Sequence, residues 1–270
     1  MTDHEADDQL SPTLRRLWGR QPEGRRGPKA GLSVDRILGA AVAIADAEGL
    51  AAVSMARVAQ ELGYSSMALY RHVGSKDELL ALMSDRFVGE PPPLVPGEDW
   101  RQGLARWTRA QIEQIVARSW VLDLPLSAMY PGPNRLRWFD AGMGCLRDVA
   151  LPGEDKLAIL GLLAEYVLGE SRVQVESDRA AIQHVREASG VAPEVPDSEL
   201  DATAVAEANI YSDFETQLRT LADPEDFPHL FTALTGAPQA PSADAEDSVT
   251  FGLRIVLDGI AAYIEDHAAR

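Results

Sequence analysis

SMARVAQELGYSSMALYRHVGSK, residues 54–76, decides the fold class of this chain. Two short helical stretches flank a tight corner at Gly63, and a third helix begins where the stretch ends. Ser54 is placed to cap the first, because its hydroxyl can accept from the free backbone N–H groups of the opening turn. Val58, Ala59 and Leu62 fall three to four apart and share an inward face. Gly63 stops that helix, since glycine enters the left-handed C-terminal conformation cheaply. Ser65 or Ser66 caps the second helix, whose buried side holds Leu69 and Val73 and which Gly74 ends. Ser75-Lys76-Asp77-Glu78 reads as a capping box for a helix continuing LLALM. This is a helix-turn-helix; an ordinary three-helix packing corner is the plain alternative, and the order of caps, glycines and cations argues against it.

On the second helix, Met67 and Arg71 lie nearly opposite Leu69, with Ala68 and Tyr70 on the flanks. Small residues, one aromatic and one arginine on a free face suit a DNA major groove, where arginine pairs bidentately with guanine. Lys76 stands in the first turn of its helix, where the macrodipole disfavours a cation. A phosphate there would satisfy both the lysine and the free N–H groups.

The segment LSVDRILGAAVAIADAEGLAAVSMARVAQELGYSSMALYRHVGSKDELLALM, residues 32–83, resembles the DNA-binding domain of the TetR family of bacterial transcriptional regulators. ALYRHVGSKDELL is its most specific block. The resemblance implies that Ser66, Met67, Ala68, Tyr70, Arg71, His72 and Lys76 approach DNA. Tyr70, His72 and Lys76 would touch the backbone, while Ser66, Met67 and Arg71 would carry sequence choice. Ser54 and Ser65, at the helix starts, complete the candidate DNA-binding set. The rest of the chain resembles the family's helical C-terminal half only in pattern, best in FGLRIVLDGIAAYI at residues 251–264.

A net charge of −17 looks wrong for a DNA binder until it is divided along the chain. From Pro12 to Lys76 there are ten Lys and Arg against five Asp and Glu, a net of +5. Residues 1–11 carry four acids, and residues 77–270 carry 33 acids against 15 bases. The acidic remainder would repel DNA and discourage wrong docking orientations. The 46% hydrophobic and 25% charged composition is that of a globular protein. The N-terminus has no apolar core that would mark a signal peptide, and no apolar run is long enough to span a bilayer. A cytoplasmic protein with no membrane partner is expected. Cys145, the single cysteine, excludes an intrachain disulfide and reads as a buried helix position; a redox-sensing thiol is the sharper reading.

Residues 1–31 are expected to form a disordered arm, sparsely basic through Arg15, Arg16, Arg20, Arg25, Arg26 and Lys29. It is either a solvating tail or a source of phosphate or minor-groove contacts. Residues 32–80 form the DNA-binding domain and residues 81–270 a helical effector-binding and dimerisation domain. In the first helix, Ser33 is the cap, Ile37, Leu38, Ala41, Ile44 and Ala45 the inward stripe, and Gly49 the stop. The helix from Ser75 to about Val88 is apolar around much of its girth and packs on two bodies. GEPPPLVPGED breaks the chain, and helices follow from about Trp100 to Ser119, around Trp138 to Leu146, and from Glu154 to about Ala188 with a bend near Gly169. One more helix is expected over 198–222, and the last from Ala245 to Ala268.

No histidine pair at metal-binding spacing, P-loop, GxGxxG or GxSxG is present. No catalytic site, metal or cofactor is expected, and the chain does not read as an enzyme. Trp107, Met129, Trp138, Met143 and Tyr166 in the middle third could line a small-molecule cavity, with Glu170 and Gln174 supplying hydrogen bonds beside Tyr166; helical core is the plain reading of each. The family resemblance places an effector site in this region. In the last helix, Leu253, Val256, Gly259, Ile260 and Tyr263 mark a candidate dimer interface, because two glycines seven apart admit close helix packing. A helix-turn-helix that reads two half-sites needs such a partner. The expectation is an all-α regulator, a repressor that binds palindromic operator DNA as a homodimer and is released by a small molecule. The alternative is a helical effector-binding or interaction protein without specific DNA binding.

Overall fold

Serine caps punctuate the head of the chain where the sequence places them. A computed structural model describes residues 10–20, 31–192, 195–209, 214–235 and 248–268, with twelve α-helices and no strand among the described residues. Helix α1 spans Pro12–Leu17, α2 Val34–Glu48, α3 Met55–Leu62, α4 Ser66–Tyr70, α5 Lys76–Val88, α6 Trp100–Ala117 and α7 Pro133–Cys145. Helix α8 spans Gly153–Ser189, α9 Ala202–Ala208, α10 Phe214–Leu221, α11 Pro228–Thr235 and α12 Ser248–Ala268. Ser33, Ser54, Ser65 and Ser75 each accept from the backbone N–H three residues on, at 3.0–3.3 Å. Gly63 closes α3 with φ 74°, the left-handed geometry that a side chain would strain.

Several expectations need correction. The arm expected to be disordered contains α1, capped by Ser11 and started by a proline at its first turn; Arg25, Arg26 and Lys29 lie outside the described residues. The helix holding Leu69 ends at Tyr70 and gives way to a turn through Val73, well before Gly74. Helix α8 carries no break at Gly169. The single helix expected over 198–222 is two, α9 and α10, since Asn209 leaves the helical region at the end of α9.

The chain divides into two compact units, one of residues 1–167 and 259–270, the other of residues 168–258. Within the first unit the head helices share a core with the helices that follow them. Leu79, Leu80, Leu82, Met83 and Phe87 are all buried on α5. Phe87 meets Trp120 edge to face at 5.6 Å, and the Trp120 indole N–H donates to Asp46 of α2 at 2.7 Å. A helix apolar on several sides serves two packings at once.

Candidate DNA interface and its supports

Leu69, wholly buried, anchors α4 and turns its opposite side outward. Met67 is 71% exposed and Tyr70 46%, Arg71 is exposed, and Ser66, Ala68 and His72 are half-buried. The geometry agrees with the helical-wheel reading made above, although Arg71 sits at the C-cap and His72 in the turn beyond. Lys76 is exposed at the first position of α5, after the cap Ser75. Ser65 caps α4 and Ser66 is its first residue, which settles which serine has that role. Of the other cations on the head, Arg57 is engaged by Glu48 and Glu61, both at 2.8 Å. Tyr64, exposed just before α4, lies 6.0 Å from the Arg36 guanidinium. Sequence reasoning did not select this pair; a cation beside an aromatic is visible only once α2 and the turn are packed.

The capping box closes differently from its pattern. Ser75 accepts from the Glu78 N–H at 3.0 Å, but the Glu78 carboxylate accepts from Gly74 N–H at 2.6 Å. Its Oε2 also meets the Arg16 guanidinium at 3.2 Å, and Glu78 is only 6% exposed.

At its far end α5 is held by two further helices. The Val88 carbonyl accepts from the Trp138 indole at 2.8 Å and from the Gln114 amide at 3.1 Å. Asp85 of α5, also buried, reaches the start of α7 and accepts from the N–H groups of Arg135 at 3.1 Å and Asn134 at 3.4 Å. Gly132 offers α7 no cap of its own, and a Cβ there would overlap the Asp85 carboxylate. Asp85 is therefore a cap supplied by another helix. Arg135 donates to Ser84 at 3.1 Å; burial pulls its guanidinium below the ordinary value and Asp85 pushes it back up.

Of the seven expected effector-lining residues, the structure joins two. The rings of Trp107 and Trp138 lie 6.2 Å apart, and Trp107 donates its indole N–H to the Trp138 carbonyl at 2.9 Å. Both are buried, and both N–H groups are committed to backbone carbonyls. Met129, Met143, Tyr166 and Glu170 are half-buried, while Gln174 is exposed rather than turned to a cavity. None of the seven lines either of two described cavities, one of 500 Å³ beside Val185 and Leu200, one of 430 Å³ beside Arg16 and Asp85.

The expected dimer stripe needs shifting. Leu253 and Ile260 are buried within the single chain, because they continue the inward face marked by Leu257. The exposed apolar side of α12 carries Phe251, Ile255, Gly259 and Tyr263, with Val256 at its edge. On α8, Leu162, Gly169 and Val173 are exposed on one side. Cys145 is half-buried, and burial holds its thiol above the ordinary value despite nearby Arg106. Among the described residues no cluster of metal-ligating side chains occurs, and no helix is long and apolar enough to cross a membrane.

Residues 37–83 match the family described as bacterial regulatory proteins, tetR family, and residues 92–264 the tetracyclin repressor-like C-terminal domain. A similar protein is the HTH-type transcriptional repressor DrrR1 of Streptomyces coeruleorubidus, 36% identical over 183 residues, which are 66% of this chain and 67% of the repressor. The tetracycline repressor protein class E of Escherichia coli is 26% identical over 164 residues, 59% of this chain and 77% of that protein. A similar solved structure is that of the TetR family protein ActR of Streptomyces coelicolor in complex with actinorhodin. It has a TM-score of 0.64 and 28% identity, and the match covers 86% of this chain and 97% of that one.

Proposed function

Because this chain belongs to the TetR family of bacterial regulatory proteins, we propose that it is a ligand-responsive transcriptional repressor that binds palindromic operator DNA as a homodimer. The observation that carries this reading is the exposed side of α4, where Met67, Tyr70 and Arg71 stand out from a helix anchored by buried Leu69. Residues 32–80 form the DNA-binding domain and residues 81–270 the effector-binding and dimerisation domain. Ser66, Met67 and Arg71 read bases; Ser54, Ser65, Ala68, Tyr70, His72 and Lys76 make or support backbone contacts. Lys76 at a helix start favours a phosphate, since the free N–H groups and the lysine then share one anion. The protein acts by binding rather than turnover, in the cytoplasm, where its DNA is.

A small-molecule effector binds in the region of the paired Trp107 and Trp138, with Met129, Met143, Tyr166, Glu170 and Gln174 as further candidate contacts; the actinorhodin complex of ActR supports an effector site in this part of the fold. Trp138 links that region to α5, because its indole holds the Val88 carbonyl. Helix α5 has 13 residues and is roughly 20 Å long at 1.5 Å per residue. Displacing its far end tilts Lys76 and α4 away from the spacing of successive major grooves. Two copies meet through the exposed apolar side of α12, around Ile255, Gly259 and Tyr263, and through the outward side of α8. A partner is needed because one recognition helix reads a single half-site.

Duplexes selected from a random library by the full-length protein provide the test. Binding should weaken steeply with salt, as counterion release requires, and strengthen at least about 10³-fold over random sequence. Actinorhodin, as first probe, is then titrated with and without the selected duplex. Operator must weaken the probe by the factor by which the probe weakens operator, a coupling of about 1–3 kcal/mol. A shallow salt dependence with no sequence selected would refute DNA recognition. Equal probe affinities in the two titrations would refute the coupling.

A further inference from the structure

Helix α1 precedes both stretches that match the family, yet it reaches the turn that follows the recognition helix. The Arg16 guanidinium donates to the backbone carbonyl of His72 and pairs with Glu78 at 3.2 Å. The same Glu78 oxygen accepts from the Gly74 N–H at 2.6 Å. His72 and Gly74 lie in the turn between α4 and α5, and Glu78 lies in the first turn of α5. One guanidinium therefore holds both sides of the turn that sets Arg71 and His72 relative to Lys76. Helix α1 is itself seated by the Trp18 indole, which donates to the Pro131 carbonyl at 3.1 Å.

We infer that Arg16 is a positioning residue for DNA recognition, bracing the 72–78 turn from within, and not one of the arm's phosphate contacts. This rests on the DNA-binding function proposed above. Both contacts are made by one terminal nitrogen, Nη1, whose two N–H bonds are held in the guanidinium plane; the rotating ammonium of lysine keeps no such fixed pair of directions. The His72 carbonyl lies in the turn beyond α4, outside the hydrogen-bond ladder of either helix, so its partner comes from elsewhere. Without the brace, the base-reading residues on α4 and the phosphate-holding lysine on α5 lose their fixed spacing. Sequence discrimination suffers first, because base contacts demand tighter geometry than a charge facing a phosphate.

The test uses the full-length chain with Arg16→Met. Against duplexes selected by the wild type, affinity should fall about tenfold, while random duplex loses under about twofold, because only base readout is disturbed. The salt slope should be unchanged, since no phosphate contact is removed. Removing the guanidinium alone leaves a buried carboxylate without its counter-ion and also costs folding stability. The double variant Arg16→Met with Glu78→Gln removes both charges. It should melt close to the wild type and still lose selectivity, because the His72 carbonyl remains unheld. Arg16→Lys should recover only part of the loss. In the free protein, amide hydrogen exchange at residues 73–76 should rise about tenfold in both Met variants, as local opening becomes easier. A salt slope lowered by about one, with selected and random duplex weakened alike, would make Arg16 a phosphate contact and overturn the inference. Wild-type selectivity in the double variant would overturn it too. Unchanged exchange would overturn the brace without any DNA present, so that failure is distinguishable from failure of DNA recognition itself.

Discussion

Replacing Asp85 by alanine should destabilise the protein by far more than an ordinary surface acid would, because Asp85 caps a helix to which it does not belong. Its carboxylate accepts from two N–H groups at the start of α7, at 3.1 and 3.4 Å, and is buried while doing so. An N-cap change costs about 0.5–2 kcal/mol, and a buried donor left without a partner about 1–3 kcal/mol. The two figures describe overlapping contacts, so about 3 kcal/mol is a fair total. In a chain of this size that lowers Tm by roughly 6–12 °C. Asp85→Asn keeps an acceptor but loses the attraction of a carboxylate for the helix start, so about half the loss is expected. Gly132 supplies the internal control. A Cβ at that position meets the carboxylate, so Gly132→Ala should cost about 1–3 kcal/mol as overpacking. With Asp85→Ala in place the carboxylate atoms at 2.3 and 2.4 Å are gone and only the Cβ at 3.0 Å remains, so the same glycine change should cost much less. The four proteins form a double-mutant cycle read by thermal melting at one protein concentration, since association would otherwise shift Tm. Strict additivity, or Asp85→Ala within about 0.5 kcal/mol of wild type, would refute the cap.

On the DNA side, Arg71→Ala should cost about 1–3 kcal/mol of operator binding and relax base preference, whereas Lys76→Ala should weaken all duplexes alike and lower the salt slope by about one. Binding isotherms at several salt concentrations would reverse the two roles if Lys76→Ala changed base preference and Arg71→Ala did not. For the dimer, a Cβ at Gly259 has open space around it in the protomer, so Gly259→Leu should fold, gaining nearly 1 kcal/mol of helix propensity. It should nevertheless sediment as a monomer with weak operator binding, and an unchanged dimer would contradict the interface. For Cys145, burial raises the thiol and keeps it protonated at neutral pH. Alkylation should be slow at pH 7 and accelerate only as pH rises past the ordinary thiol value, about 8.5; fast reaction at pH 7 would instead support a redox role.

Local chemistry was legible in the sequence and long-range chemistry was not. Ser33, Ser54, Ser65 and Ser75 form their caps three residues away, and Gly63 takes the left-handed geometry that its position demands. The outward placement of Met67 and Arg71 follows from helical period alone. By contrast, the Arg16–Glu78 pair spans 62 positions and the Asp85–Arg135 contact spans 50. No spacing rule reaches that far. Arg16 looked like one more cation in a polar arm, and Glu78 like half of a capping box. Two of the five α12 residues, Leu253 and Ile260, turn inward for a related reason: hydrophobic period finds an apolar face but does not say whether the same chain or a second copy covers it. Leu253 and Ile260 went to the chain's own core.

How an effector could reach DNA through α5 follows from the burial of that helix. Nine of its 13 residues are buried, including Ser84 and Asp85 among the polar ones. So enclosed a helix cannot slide freely between the head and the helices behind it; close-packed surroundings permit a few discrete arrangements and resist the rest. Its far end is pinned by Trp138, Gln114 and the cap that Asp85 gives to α7. Its near end carries Lys76, with Glu78 fastened to the turn beside α4. A ligand at the proposed site beside Trp107 and Trp138 would act on α5 through Trp138, whose indole N–H donates to the Val88 carbonyl. It can displace the head only by as much as it prefers one arrangement of Trp138 over another. Trp138→Phe removes the indole donor to Val88 while keeping an aromatic ring in the core. It should leave operator affinity without ligand within about twofold and reduce the proposed coupling between ligand and operator by about 1 kcal/mol, the net worth of one such hydrogen bond. Titrating the probe against operator-bound wild type and variant measures that difference directly. Identical coupling in the two would show that the signal does not pass through the Trp138–Val88 hydrogen bond.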